Sequence, residues 1–229
     1  MVDGVLLDWE GVLADTGRAR RDALRRALTD EGVPFDETAY DERWLGRSVR
    51  AAAADAIGAL HADPTLVDLI ALRAQREFTA TIGQGFALRA GAARFCELAQ
   101  LRAPVAIVTC ARRVETDIAL RLAGLADSFT ACITADDVLA EMPSPEAFEL
   151  ALAHLARRRP VRRAHVIALA STHASLLAAR STRIRTVAVG LPAHEALDAD
   201  AAIPSLASLG EIRVDELAAL TGVDTERFA

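Results

Sequence analysis

Apolar positions along this chain follow two rhythms, and the change from one to the other divides it. The run GVLLD at 4–8 is apolar up to its last residue, as in a strand covered on both faces. Runs of the same kind recur after residue 102: APVAIVT (103–109), FTACIT (129–134), AHVIALA (164–170) and IRTVAVG (184–190). Between them lie amphipathic stretches, from about Arg112 to Gly124 and from about Pro145 to Ala156. Strand and helix in alternation predict an α/β fold with a parallel sheet covered by helices on both faces. Open sheets of this type take their ligands beyond the carboxyl ends of the strands, where the strand order reverses. Asp8 and Thr109 stand at two such ends.

From Asp15 to about Phe86 strand-like runs are absent. GRARRDALRRALTDEG (17–32), SVRAAAADAIGALH (48–61) and DLIALRAQREFTATI (68–82) repeat apolar positions at helical spacing, which predicts an inserted all-helical cap over 15–85. The remaining residues, 1–14 and 86–229, then form the sheet core. GQG at 83–85 supplies glycines suited to a hinge, and RAGAARFCELAQL (89–101) begins the helix that returns to the sheet. The tail, ADAAIPSLASLGEI (199–212), reads as a short strand, a turn and a helix, with one more helix from about Val214 to Leu220.

Composition narrows the function classes. The chain has 229 residues and a formal charge of -6, which disfavours nucleic acid or an anionic membrane as the main partner. The basic cluster RRRPVRR (157–163) runs against that trend and reads as a solvated helix end and loop. Three cysteines, Cys96, Cys110 and Cys132, show no paired spacing, so neither a disulfide framework nor a zinc site is indicated. With no export signal evident, a cytoplasmic protein is expected. No lysine and no asparagine occur, so all 26 basic residues are arginine and no lysine-dependent step can arise within the chain.

Taken together, the motifs resemble those of the haloacid dehalogenase superfamily, in its helical-cap phosphatase and phosphomutase branch. DWEGVLADT (8–16) resembles the first motif, AIVTCA (106–111) the second, and the long segment 124–155 follows the third. The resemblance implies a Rossmann-like core with the cap inserted after the first strand. It also implies that Asp8 is a nucleophile forming an aspartyl intermediate, and that Glu10 stands where a second aspartate moves the leaving-group proton. The backbone carbonyl of residue 10 would be a magnesium ligand, and Thr109 would hold a transferring oxygen.

Departures from that pattern are equally specific. Met142 of MPSP (142–145) stands where the family has lysine, and Leu169 and Ala170 stand where an acidic magnesium ligand is expected. A hard cation needs several oxygen ligands, so no cofactor is expected, beyond weak magnesium at most. Losing one electrostatic stabiliser costs roughly a hundred- to a thousand-fold in rate, and here several are replaced together. Arg47 of LGRS (45–48), Arg112 at a helix start and His173 after the fourth core strand are candidates to bind substrate in the core–cap cleft, each also readable as a solvated residue. Trp9 and Trp44 read as lining of that cleft or as core. Three functions follow: an enzyme using Asp8, with or without Glu10, and no magnesium; a catalytically silent protein that binds a small molecule or a protein partner through the cleft; and an ordinary phosphatase. Oligomeric state is not legible.

Overall fold

The run GVLLD becomes strand β1 (Gly4–Asp8), and it lies at the centre of a six-stranded sheet. The computed structural model describes residues 1–157, 159–209 and 214–223. The other strands are β2 (Val105–Val108), β3 (Ala131–Ile133), β4 (Val166–Ala170), β5 (Arg185–Val189) and β6 (Ala201–Ile203). Their order is β3-β2-β1-β4-β5-β6, all pairs parallel. After β3 the chain therefore crosses to the far side of β1, and the order reverses between β1 and β4.

The apolar runs are continuous because both faces are covered. Val5 and Leu7 join Ile107, Ile167 and Val187 on one face, against Phe95 of helix α5 (Ala92–Gln100) and Leu217 of α9 (Val214–Leu220). Leu6 turns the other way with Ala106, Val108 and Ala168, against Phe148 and Leu155 of α7 (Glu146–Ala156). Helix α6 (Arg113–Leu122) follows β2, and α8 (His173–Ser181) follows β4. The strands and helices expected after residue 102 form where they fall on described residues, most with ends trimmed by one to a few residues. Helix α8 is additional to the sequence reading. Of the helix expected to follow the turn near Ser205, Leu206–Leu209 forms a 3-10 helix, and the remainder toward Glu211 and Ile212 lies outside the described residues.

The helical segment contains α1 (Gly17–Asp30), a short α2 (Glu37–Ala39) that runs into a π-helical turn (Tyr40–Trp44), α3 (Val49–Ala59) and α4 (Leu66–Gly83). Leu24, Leu28, Tyr40, Trp44, Ile57 and Ile70 form its own apolar cluster. Near its end, α4 leaves that cluster, and Phe78 and Ile82 pack with Trp9 in the sheet core. Trp9 is thus core, edge-on to Phe86. The two connections to the sheet run side by side: Asp15 N–H donates to Ala87 O at 3.0 Å and Arg89 N–H to Leu13 O at 2.8 Å.

Polar contacts tie the helical segment down. Glu141, in the loop before α7, accepts from Ser48 N–H at 3.2 Å and Ser48 Oγ–H at 2.5 Å. Ser48 is also the N-cap of α3, its Oγ accepting from Ala51 N–H at 3.1 Å. Gly46, at φ +81°, meets the loop after β4 so closely that an added Cβ would lie 2.5 Å from Thr172 Oγ1. The basic cluster is largely exposed, and two of its arginines are paired. Arg162 pairs with the buried carboxylate of Asp3 at 2.9 Å, and Arg163 with Glu149 at 2.6 Å. Among the described residues, no helix is long and apolar enough to cross a membrane.

Candidate active site

Asp8 ends β1, and Ser171 follows the last residue of β4, so the two flank the reversal of strand order. Ser171 Oγ lies 2.5 Å from the backbone carbonyl of Glu10 and 3.1 Å from Asp8 Oδ2. A hydroxyl has one proton to give, and the shorter contact takes it. The longer contact is then best made with Asp8 protonated and donating to Ser171 Oγ.

Burial favours that protonated form. Only 7% of Asp8 is exposed, and its carboxyl is pushed up to about 7, chiefly by desolvation and further by the charge of Glu10. The Ser175 and Ser171 hydroxyls oppose the shift and do not cancel it. Gly11 holds the turn that follows Glu10 at φ +79°, and a Cβ there would lie 2.6 Å from Ser171 Oγ. Gly11→Ala is therefore expected to displace Ser171 and to cost about 1–3 kcal/mol of stability in urea titration. Unchanged stability would show that the loop relaxes freely.

The Glu10 carboxylate is held by two side chains. Arg20 Nε donates to its two carboxylate oxygens at 2.7 and 2.8 Å, and Thr16 Oγ1–H adds a bond at 3.2 Å. Arg20 belongs to α1, its side chain 9% exposed, with its guanidinium 4.0 Å above the Phe78 ring. Its Nη2 reaches Glu115 at 3.2 Å, and Glu115 also accepts from Arg112 N–H at 3.0 Å, at the start of α6. Burial works against the charge on Arg20, but Glu10 and Glu115 together overcome it.

Around these groups is a cavity of about 230 Å³ between sheet and cap. Asp8, Glu10, Arg20, Ser171 and Thr172 line its floor, and Leu24, Tyr40, Trp44, Val49, Ala52 and Met142 form largely apolar walls. Tyr40 and Trp44 come from the π-helical turn, which brings both rings to the cavity. Trp44 Nε1–H is taken by Asp55 at 2.7 Å. The Tyr40 phenol, pushed up to about 12 by burial and by Glu10, stays a donor, and none of the described residues accepts from it. Arg47 lines the same cavity and, among the described residues, has no carboxylate partner. Asp15 and Arg89, at the rim, pair at 3.3 Å.

Of the residues singled out by sequence, the fold brings Asp8, Glu10, Trp44, Arg47 and Met142 to one cavity. Three others stand outside its lining. Thr109 is buried, and its Oγ accepts from Ala111 N–H at 3.1 Å; the following residue, Cys110, is the one that faces the cavity. Arg112 pairs with Asp136 at 2.8 Å over a neighbouring cavity. His173 is exposed on the first turn of α8. Ala170, alongside Asp8 by the Leu7–Leu169 register, is fully buried and offers no ligand atom. Among the described residues, no group of three or more His, Cys, Asp or Glu is placed to hold a metal ion.

The model of the haloacid dehalogenase-like hydrolases matches residues 2–181. The chain belongs to this family. One relative of this haloacid dehalogenase-like protein is the validoxylamine A 7'-phosphate phosphatase of Streptomyces hygroscopicus subsp. limoneus, 28% identical over 212 residues, covering 91% of this chain and 94% of the relative. Among solved structures, CbbY from Rhodobacter sphaeroides in complex with phosphate is 24% identical, with a TM-score of 0.78 over 92% of this chain and 97% of that one. The β-phosphoglucomutase of Clostridium difficile is 16% identical, with a TM-score of 0.82 over 97% and 98%. These two share the fold of this haloacid dehalogenase-like chain.

Proposed function

We propose that this protein binds a small organic molecule in the core–cap cavity and does not carry out magnesium-dependent phosphoryl transfer. The observation that carries this reading is the two-oxygen contact of Glu10 with Arg20. That ion pair occupies both oxygens of the side chain that would protonate a leaving group. A divalent cation fits the floor poorly. The two oxygens that would face it, Asp8 Oδ2 and Glu10 O, are already bridged by Ser171, and Ala170 adds nothing. Met142 presents an apolar side chain where a cation would steady a phosphate.

The lining favours a ligand with an apolar body and one acceptor-rich or anionic end, met by the Tyr40 hydroxyl and Arg47. A second reading rests on the position of Asp8 at the cavity floor. There its ionised fraction attacks an electrophilic carbon directly, without a metal, forming an alkyl-aspartyl ester as the bond from that carbon to a weakly basic leaving group breaks and the group departs as its anion, needing no proton. Half-protonation near neutral pH weakens that nucleophile.

A turnover assay against a panel of phosphate monoesters, with magnesium or with chelator and beside Asp8→Asn, separates the readings. No turnover above the Asp8→Asn background is expected under either condition. Hydrolysis abolished by chelator and by the substitution would restore an ordinary phosphatase, the activity that the name of the Streptomyces relative carries. Hydrolysis indifferent to chelator but lost in Asp8→Asn would favour the second reading.

A further inference from the structure

Beside the cavity just described lies a second, of about 320 Å³, lined by Ser48, Gln75, Arg112, Glu115, Asp136 and Glu141 among others. Three residues line both: Arg20, Val49 and Cys110. Val49 and Cys110 have short side chains, so Arg20 is the group that crosses between them. One carboxylate partner of its guanidinium, Glu10, lines the first space and the other, Glu115, lines the second. The Phe78 ring beneath, at 4.0 Å, fixes its height.

We propose that Arg20 is a partition: its paired guanidinium divides the core–cap cleft into two chambers and so sets the size of molecule the first can hold. Its bearing on ligand size rests on the binding role proposed above; the partition itself does not. Both chambers combine apolar and charged lining, with Leu24, Tyr40 and Trp44 in the first and Gln75, Asp136 and Glu141 in the second. A ligand that extends from the first chamber into the second has to displace Arg20, and doing so leaves Glu10 and Glu115 buried without their cation. The wall is held by that penalty. It follows that specificity against bulky ligands comes from a residue that need not touch the accepted one.

Cys110, facing both chambers, reports on the wall directly. The full-length protein and the variant Glu10→Gln/Arg20→Met/Glu115→Gln, in which all three charges are removed, would be treated with iodoacetamide or with N-(1-pyrenyl)maleimide, and each cysteine followed by peptide mapping. In the variant, pyrenyl labelling of Cys110 is expected to rise at least tenfold relative to iodoacetamide, while the buried Cys96 stays unlabelled. An unchanged Cys110 ratio with Cys96 protected would overturn the partition. If Cys96 also reacts, the variant has loosened as a whole and the milder Val49→Ala decides. Unchanged Cys110 labelling there leaves Arg20 as the barrier, and a tenfold rise assigns the barrier to Val49. Ligand size is read separately by tryptophan fluorescence with benzoate and 1-pyrenecarboxylate, the larger probe expected to bind the triple variant only. Failure of benzoate to bind either protein would count against the binding role, whereas equal binding of the larger probe to both would count against the partition.

Discussion

Arg20→Met is expected to lower the free energy of unfolding by about 3–5 kcal/mol, because it strands two buried carboxylates rather than removing a surface contact. Glu10 is 17% exposed at its side chain and Glu115 2%, so water reaches neither well enough to replace the guanidinium. For a chain of this size that corresponds to a fall in Tm on the order of 10 °C. Urea titration measures it. The loss should persist in high salt, since ions screen buried pairs poorly. It should also be largely recovered when Glu10 and Glu115 are made glutamine in the same chain, as uncharged side chains often replace a buried ion network at little net cost. A change under 1 kcal/mol, or no recovery in the triple variant, would show that the three charges are not one unit.

Asp8→Asn is expected to act in the opposite direction and to make the protein more stable at neutral and alkaline pH. The Asp8 carboxyl is raised from 3.8 to about 7 in the folded chain. Between those values the folded chain keeps a proton that the unfolded chain has released, so rising pH drains stability through this window. The full penalty is present above pH 7 and amounts to as much as roughly 4 kcal/mol. Asparagine carries no charge at any pH, and its amide can still donate to Ser171 Oγ. The variant should therefore exceed the parent by about 2–4 kcal/mol at pH 8 and converge with it near pH 4. Urea titrations at pH 4.5, 6 and 8 would show this as a gap that opens with pH. Parallel curves for the two proteins would mean that Asp8 is not the group responsible.

Legibility in the sequence follows how local each feature is. β1 was readable to the residue because a strand covered on both faces has no polar position until it ends, at Asp8. Helices α1, α3 and α4 were readable because each buries one stripe against the others. α8 was missed: its nine residues, HASLLAARS, are rich in small side chains, and its start is fixed by Thr172 Oγ1 accepting from Ser175 N–H rather than by an apolar stripe. The π-helical turn at Tyr40–Trp44 has only five residues and so no period to detect. At the site, Asp8, Glu10 and Met142 were found by position within motifs. Arg20 could not be. It is one of five arginines among the fourteen residues of α1, and what selects it is a carboxylate 95 positions away that only the folded chain brings near. The same holds for Ser171, whose partner Asp8 is 163 positions away.

Ser48 has a consequence of another kind. Its amide hydrogen, at the head of α3, is held by a glutamate 93 positions further along the chain, not by a neighbour in its own helix. Exchange of that hydrogen with solvent is therefore governed by how long the loop around Glu141 stays folded. A single amide in the helical segment would keep time for the sheet domain beneath it.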